Sequence, residues 1–226
     1  MRVIIVWQNE NGHFEEKKNK KDLPVFSYEI TANVTDLNGE TRSATTTVKV
    51  GYHTLKLNIV TQNSWNTDTT PELYINTTNL NGEFSAAKIN LKIYKLVAPN
   101  NVLRTRRLPV ADMPLLTKDA FKKHFPNEAY ANESDYKNWA KGALVYEEVI
   151  DSEKEKSIQL PPIKQWLSGK YIIITEASDN TKNTITEENH ISVINKKDSV
   201  LADSQLFDYQ ILNASTAKKD GYISIK

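Results

Sequence analysis

Apolar and polar residues alternate along much of this chain with a period of two, the mark of strands with one sheltered face. In "YEITANVT" Tyr28, Ile30, Ala32 and Val34 fall on one side, and Glu29, Thr31, Asn33 and Thr35 on the other. Beyond Asn38-Gly39 the alternation resumes: Ala44, Thr46, Val48 and Val50 are interleaved with Thr45, Thr47 and Lys49. The Thr and Val content suits a half-buried strand and suits a helix poorly. Asn-Gly between two such runs predicts a hairpin with a primed turn, which needs positive φ at both central residues.

The same pattern returns downstream. "TLKLNIV" sets Leu55, Leu57 and Ile59 together, and "ELYINTT" runs into a second Asn-Gly turn within "TNLNGEF". A looser "NENGHF" near the start resembles both turns. "AKINLKIYKL" places Ile89, Leu91 and Ile93 on one face; "ALVYEEVI", "KSIQL", "GKYIIITEAS" and "NHISVIN" follow. Near the end, "LFDYQIL" alternates Phe207, Tyr209 and Ile211, and "GYISI" adds a last strand. A short helical insertion interrupts this series around residues 115–142. "LTKDAFKKHFP" has Thr117 as N-cap, Ala120, Phe121 and Phe125 at helical spacing, and Pro126 as a stop. "ESDYKNWAKG" predicts a second helical turn ended by Gly142.

Many short strands with turn signals roughly every ten residues predict an all-β chain of tandem Ig-like or fibronectin-III-like antiparallel β-sandwiches. Residues 1–53 read as the C-terminal part of one sandwich and 54–195 as a complete one carrying the helical insertion. Residues 196–226 read as the first strands of a following β domain. The incomplete ends are expected to expose apolar faces (Tyr28, Ile30, Val34; Phe207, Tyr209, Ile211) and unpaired edges that favour self-association.

Charge adds little: the net charge of +1 on 226 residues supplies no field for nucleic acid or an anionic membrane. Arg104, Arg106 and Arg107, and the run Lys17, Lys18, Lys20 and Lys21, read as solvated loops. The absence of cysteine removes disulfides, thiolate metal sites and thiol nucleophiles. The opening "MRVIIVWQNENGHF" is too short and too soon polar for a secretory signal, and no apolar run approaches the roughly 20 residues that span a bilayer.

Catalytic chemistry finds little footing. His13, His53, His124 and His190 share no zinc-ligand spacing and read as surface histidines, and no G-x-S-x-G elbow is present. Glu147-Glu148 and Glu187-Glu188 supply paired carboxylates of the kind glycosidases use, but neighbours on a strand point apart. "SDNTKNTITEEN" offers oxygens to Ca²⁺ without the loop grammar of a calcium site, and reads instead as an Asn- and Asp-rich hairpin loop. The expectation is therefore no catalytic residue, metal or cofactor. Trp65, in the polar stretch "TQNSWNTDTTPE", stands out as a candidate ligand platform for an adhesion or carbohydrate-binding sandwich. The competing reading is a buried tryptophan at an interdomain contact. Trp139 and Trp166 read as plugs at the edge of the core.

The segment "LPVFSYEITANVTDLNGETRSATTTVKVGYHTLKLNI" resembles the junction of two macroglobulin domains in bacterial α2-macroglobulin-like proteins, particularly those of the Bacteroidetes. "TTNLNGEFSAAKINLKIYKLVAPNNVLR", "KKHFPNEAYANESD" and "WLSGKYIIITEASD" extend the resemblance over residues 22–195. It implies tandem fibronectin-like sandwiches in the body of a large periplasmic or surface protein that captures proteases. In that family a bait segment is cleaved and a Cys-x-Glu-Gln thioester acylates the attacker. Neither has a counterpart in this cysteine-free chain. The resemblance thus implies a non-catalytic structural module whose partners are neighbouring macroglobulin domains, with proteases as targets of the parent assembly.

Overall fold

A computed structural model of the chain describes residues 24–104, 115–179, 182–195, 197–198 and 201–204, and the backbone alone of residues 2–9. Among the described residues, eleven strands, one α-helix and short 3-10 turns make up the regular structure. The fold is all-β, as the alternation predicts.

Strands β1 (Arg2–Asn9), β2 (Val25–Thr35) and β3 (Thr41–Gly51) form an antiparallel sheet in the order β1-β2-β3. The sequence pattern did not single out β1 as a strand. Its eight residues run opposite β2 in unbroken register, Arg2 facing Thr35 and Asn9 facing Tyr28. The half-buried character expected of the hairpin is only partly present. Nearly every residue of β3 is exposed, and those of β2 are half-buried except the exposed Val25. Among the described residues no second layer covers this sheet, so alternation alone gives these strands no core to face.

The next two sheets do enclose a core. One holds β4 (Lys56–Val60), β6 (Glu72–Thr78) and β9 (Ser157–Gln159), with β6 central. The other holds β5 (Ser64–Asn66), β7 (Lys88–Val97), β8 (Ala140–Asp151), β10 (Gly169–Ser178) and β11 (Thr184–Ile194), in the order β5-β11-β10-β7-β8. Leu57, Ile59, Leu73, Ile75 and Ile158 of the smaller sheet meet Ile89, Leu91, Ile93, Ile173, Ile191 and Val193 of the larger. Each buried side chain of this size contributes about 1.5–3 kcal/mol of hydrophobic stabilisation. Strand β10 departs from strict alternation because both of its faces are covered. Ile173 faces the core, while Ile172 and Ile174 pack outward against Leu96, Tyr136 and Trp139.

The helical insertion supplies that outer cover. Helix α1 (Lys118–His124) starts where Thr117 predicts, with Thr117 Oγ1 accepting from the Ala120 N–H at 3.4 Å, and it closes at Phe125 before Pro126. The second expected turn is a 3-10 turn over Tyr136–Asn138, capped by the Asp135 side chain and closed by Trp139. Gly142 does not end it. That residue lies inside β8, where a Cβ would stand 2.8 Å from the Lys95 carbonyl oxygen, so glycine is there for close strand approach.

The repeated Asn-Gly stretches form one turn used more than once, though not the primed turn the sequence predicts. At 36–40 the Gly39 N–H donates to Asp36 O and the Asp36 N–H to Glu40 O; at 79–83 Gly82 and Asn79 do the same with Asn79 O and Glu83 O. Within each of these turns only the glycine, Gly39 (φ 86°) or Gly82 (φ 92°), adopts positive φ, so this is a type I turn followed by a bulge residue. The first side chain selects it. Asp36 Oδ1 accepts from the N–H groups of Asn38 and Glu40, and Asn79 Oδ1 from those of Asn81 and Glu83. A third copy joins β10 to β11: Lys182 N–H donates to Asp179 O, Asp179 N–H to Asn183 O, and Asn183 N–H to Asp179 Oδ1. There Lys182 occupies the glycine position with φ 64°. "NENGHF" and the strands expected at "LFDYQIL" and "GYISI" extend outside the described residues.

Candidate functional site

Trp65 is not a ligand platform. It sits on β5, which pairs in parallel with the end of β11, and its ring is 2% exposed. The indole N–H donates to Thr61 Oγ1 at 3.1 Å, and the ring lies 6.3 Å from Trp166, which stacks on Tyr171 at 5.3 Å. No face is left for a sugar, and the tryptophan closes the core of its own sandwich. The surrounding polarity misleads because the polar groups satisfy one another: Asn66 and Thr67 are themselves buried, and Asn66 accepts from the Asp68 N–H and the Thr69 hydroxyl. Trp139, by contrast, plugs the outer face of the larger sheet, with its N–H on Glu133 O at 2.8 Å.

The acidic pairs diverge as strand geometry requires. Glu147 reaches Lys92 at 3.4 Å, while Glu148 accepts from the Tyr146 hydroxyl at 2.5 Å on the other face. Glu188 pairs with Lys141 at 3.8 Å. Among the described residues no cluster of three His, Asp or Glu side chains forms a metal cage. The carboxylate in "SDNTKNTITEEN" is taken up structurally, because Asp179 is 8% exposed and accepts backbone N–H groups with both oxygens.

The histidines are not all on the surface. His124 is exposed at the end of α1, but His53 is half-buried beside the sandwich, and His190 lies under the Tyr136 ring at 5.6 Å. Burial pulls the His190 pKa below its ordinary value, outweighing the opposite pull of Glu188. His13 lies outside the described residues, as do Lys17, Lys18, Lys20, Lys21, Arg106 and Arg107.

One cleft of about 420 Å³ opens between the end of β7 and the insertion, lined by Val97, Pro99, Leu103, Ala129, Tyr130 and Trp139. Glu133 borders it and is engaged by Lys118 at 3.2 Å and the Ala131 N–H at 2.6 Å. Burial raises the Glu133 pKa, but the N–H groups of Ala131 and of Glu133 itself, together with Lys118, outweigh it and hold the carboxyl below the ordinary range. The cleft presents no nucleophile beside a base.

The more developed chemistry lies at the two poles of the sandwich, where the chain arrives and departs. At the first pole Thr54, just before β4, gives its N–H to Asp179 Oδ2 at 2.9 Å, and Asn183 Nδ2 donates to Tyr52 O at 2.6 Å. At the opposite pole a 3-10 turn, Ala202–Ser204, folds back onto the start of β10. Asp203 accepts from Lys95 Nζ at 2.6 Å and from the Lys170 N–H, and Lys95 lies 5.2 Å from the Tyr171 ring centre. Gly169 makes this possible, since a Cβ there would overlap both Asp203 Oδ2 and Lys95 Nζ. Sequence reading missed these anchors because each joins residues far apart in the chain. Among the described residues no helix is long and apolar enough to cross a membrane. No protein-family model matches the chain, and no curated protein matches it.

Proposed function

We propose that this chain is a non-catalytic structural module of an α2-macroglobulin-like protease-trapping protein, working outside the cytoplasm beside neighbouring macroglobulin domains. The carrying observation is the route of the chain. It meets the sandwich at the pole of Asp179 and Asn183, and its last described residues, 201–204, stand at the pole of Asp203, with β10 running between the two. A domain threaded pole to pole, with both junctions bonded, suits a spacer in a row of similar domains. The interior supports the same reading, being filled with apolar side chains and a tryptophan plug. Trp65, on which the adhesion or carbohydrate-binding alternative rested, offers that reading nothing.

The test is the DNA on either side of this reading frame. The expected result is in-frame alternating strands upstream and a Cys-x-Glu-Gln motif downstream. A frame closed by stop codons shortly before and after this segment would overturn the proposal.

A further inference from the structure

We infer that residues 49–54 form a clamped joint, in which side chains from two hairpin turns fix the angle of the three-stranded sheet on the sandwich. The residue that carries the inference is Asn81, in the turn between β6 and β7. Its Oδ1 accepts the Lys49 N–H at 2.7 Å, and its Nδ2 donates to Lys49 O at 3.3 Å. Lys49 belongs to β3 and faces Ser27 of β2. Alternate residues of a strand direct both backbone groups to the same edge. With both groups of Lys49 on Asn81, that rung of the β3 edge is completed by a carboxamide in place of another strand.

The second turn grips the following residues. Asn183 donates to Tyr52 O and Asp179 accepts from the Thr54 N–H and hydroxyl, so five bonds to three side chains hold residues 49–54, the end of β3 and the three residues after it. Gly51 lies within this clamp: a Cβ there would stand 3.0 Å from Leu80 Cδ1 and 3.1 Å from Pro24 O. Phe26 and Tyr52 meet edge to face at 6.4 Å across the same joint. A swivel would leave these backbone groups to water. Here they are held by turns whose own shape is fixed by the Asn79 and Asp179 side chains. Asn81, Asp179 and Asn183 are therefore positioning residues for the sheet. This rests on the geometry alone and holds whether or not the macroglobulin reading does.

The absence of cysteine in the chain makes the test direct. Spin labels on Arg42→Cys in β3 and Gln159→Cys in β9 report the distance across the joint by pulsed electron resonance. One narrow distance is expected in the otherwise unaltered chain, with loss of that single peak when Asn81→Ala and Asn183→Ala are combined. A broad distribution before the alanines are introduced, or a narrow peak that survives them, would overturn the inference. Should the alanines unfold the sandwich, amide exchange in the unaltered chain decides. Slow exchange at Lys49 and Thr54 is expected, and rapid exchange at both rejects the clamp.

Discussion

At the scale of single residues, the turn joining β10 to β11 shows a side chain in a conformation it does not favour. Lys182 fills, at φ 64°, the position that Gly39 and Gly82 fill in the sister turns. A Cβ in the left-handed region costs about 1–2 kcal/mol, and glycine returns part of that as chain entropy, so Lys182→Gly should stabilise by about 0.5–1 kcal/mol. Urea unfolding followed by tryptophan emission measures it, with an unchanged m-value expected. His190 gives a pH prediction. Its pKa is depressed in the fold, so the unfolded chain binds the proton more readily. The stability it contributes is complete above the unfolded value of 6.5 and is lost as pH falls through the lower folded one. His190→Gln should therefore narrow the difference in urea midpoint between neutral and mildly acidic solution. Trp65→Ala should destabilise by about 3–5 kcal/mol, as expected for an aromatic taken from a filled core.

At the scale of elements, period-two alternation located most of the sandwich strands because each presents one face to a shared interior. It failed where that condition fails. Strand β10 is apolar on successive residues since both faces are covered, and β3 is exposed on both faces despite its alternation. The Asn-Gly rule found the turns but misjudged their type, because the deciding group is the Asp or Asn two residues earlier. Of the candidate site residues, the divergence of the acidic pairs was legible, as was the placing of Trp139 and Trp166 at the edge of the core. The burial of Trp65 depends on β5 pairing with β11, and the Asp203 latch on a return from far along the chain. That latch carries its own prediction. Lys95 and Asp203 are only 17% and 9% exposed as side chains, so removing one partner strands the other. Asp203→Ala should cost about 3 kcal/mol, and Asp203→Asn, which keeps one of the two acceptor oxygens and sets an N–H group against the other donor, somewhat less, both read from chemical denaturation.

At the scale of the whole molecule, the three-stranded sheet is the exposed part of the design. Among the described residues β3 has no neighbour on its outer side, and only its Lys49 rung is capped. Long uncovered edges add strands from other chains. Sedimentation velocity should show association growing with concentration, and Thr45→Pro should weaken it. Thr45 faces Thr31 in the same phase as Lys49 faces Ser27, so the proline removes an outward N–H and spares the ladder to β2.

The pole-to-pole route also decides how the sandwich would carry a load. Strand β4 begins at the first pole and β11 ends at the other, so tension applied at the start of β4 and the end of β11 pulls them in opposite directions along their own lengths. The rungs from β4 to β6, and from β11 to β10, are then strained sideways all together, not unzipped one after another. A sandwich threaded this way yields late and all at once under such a load.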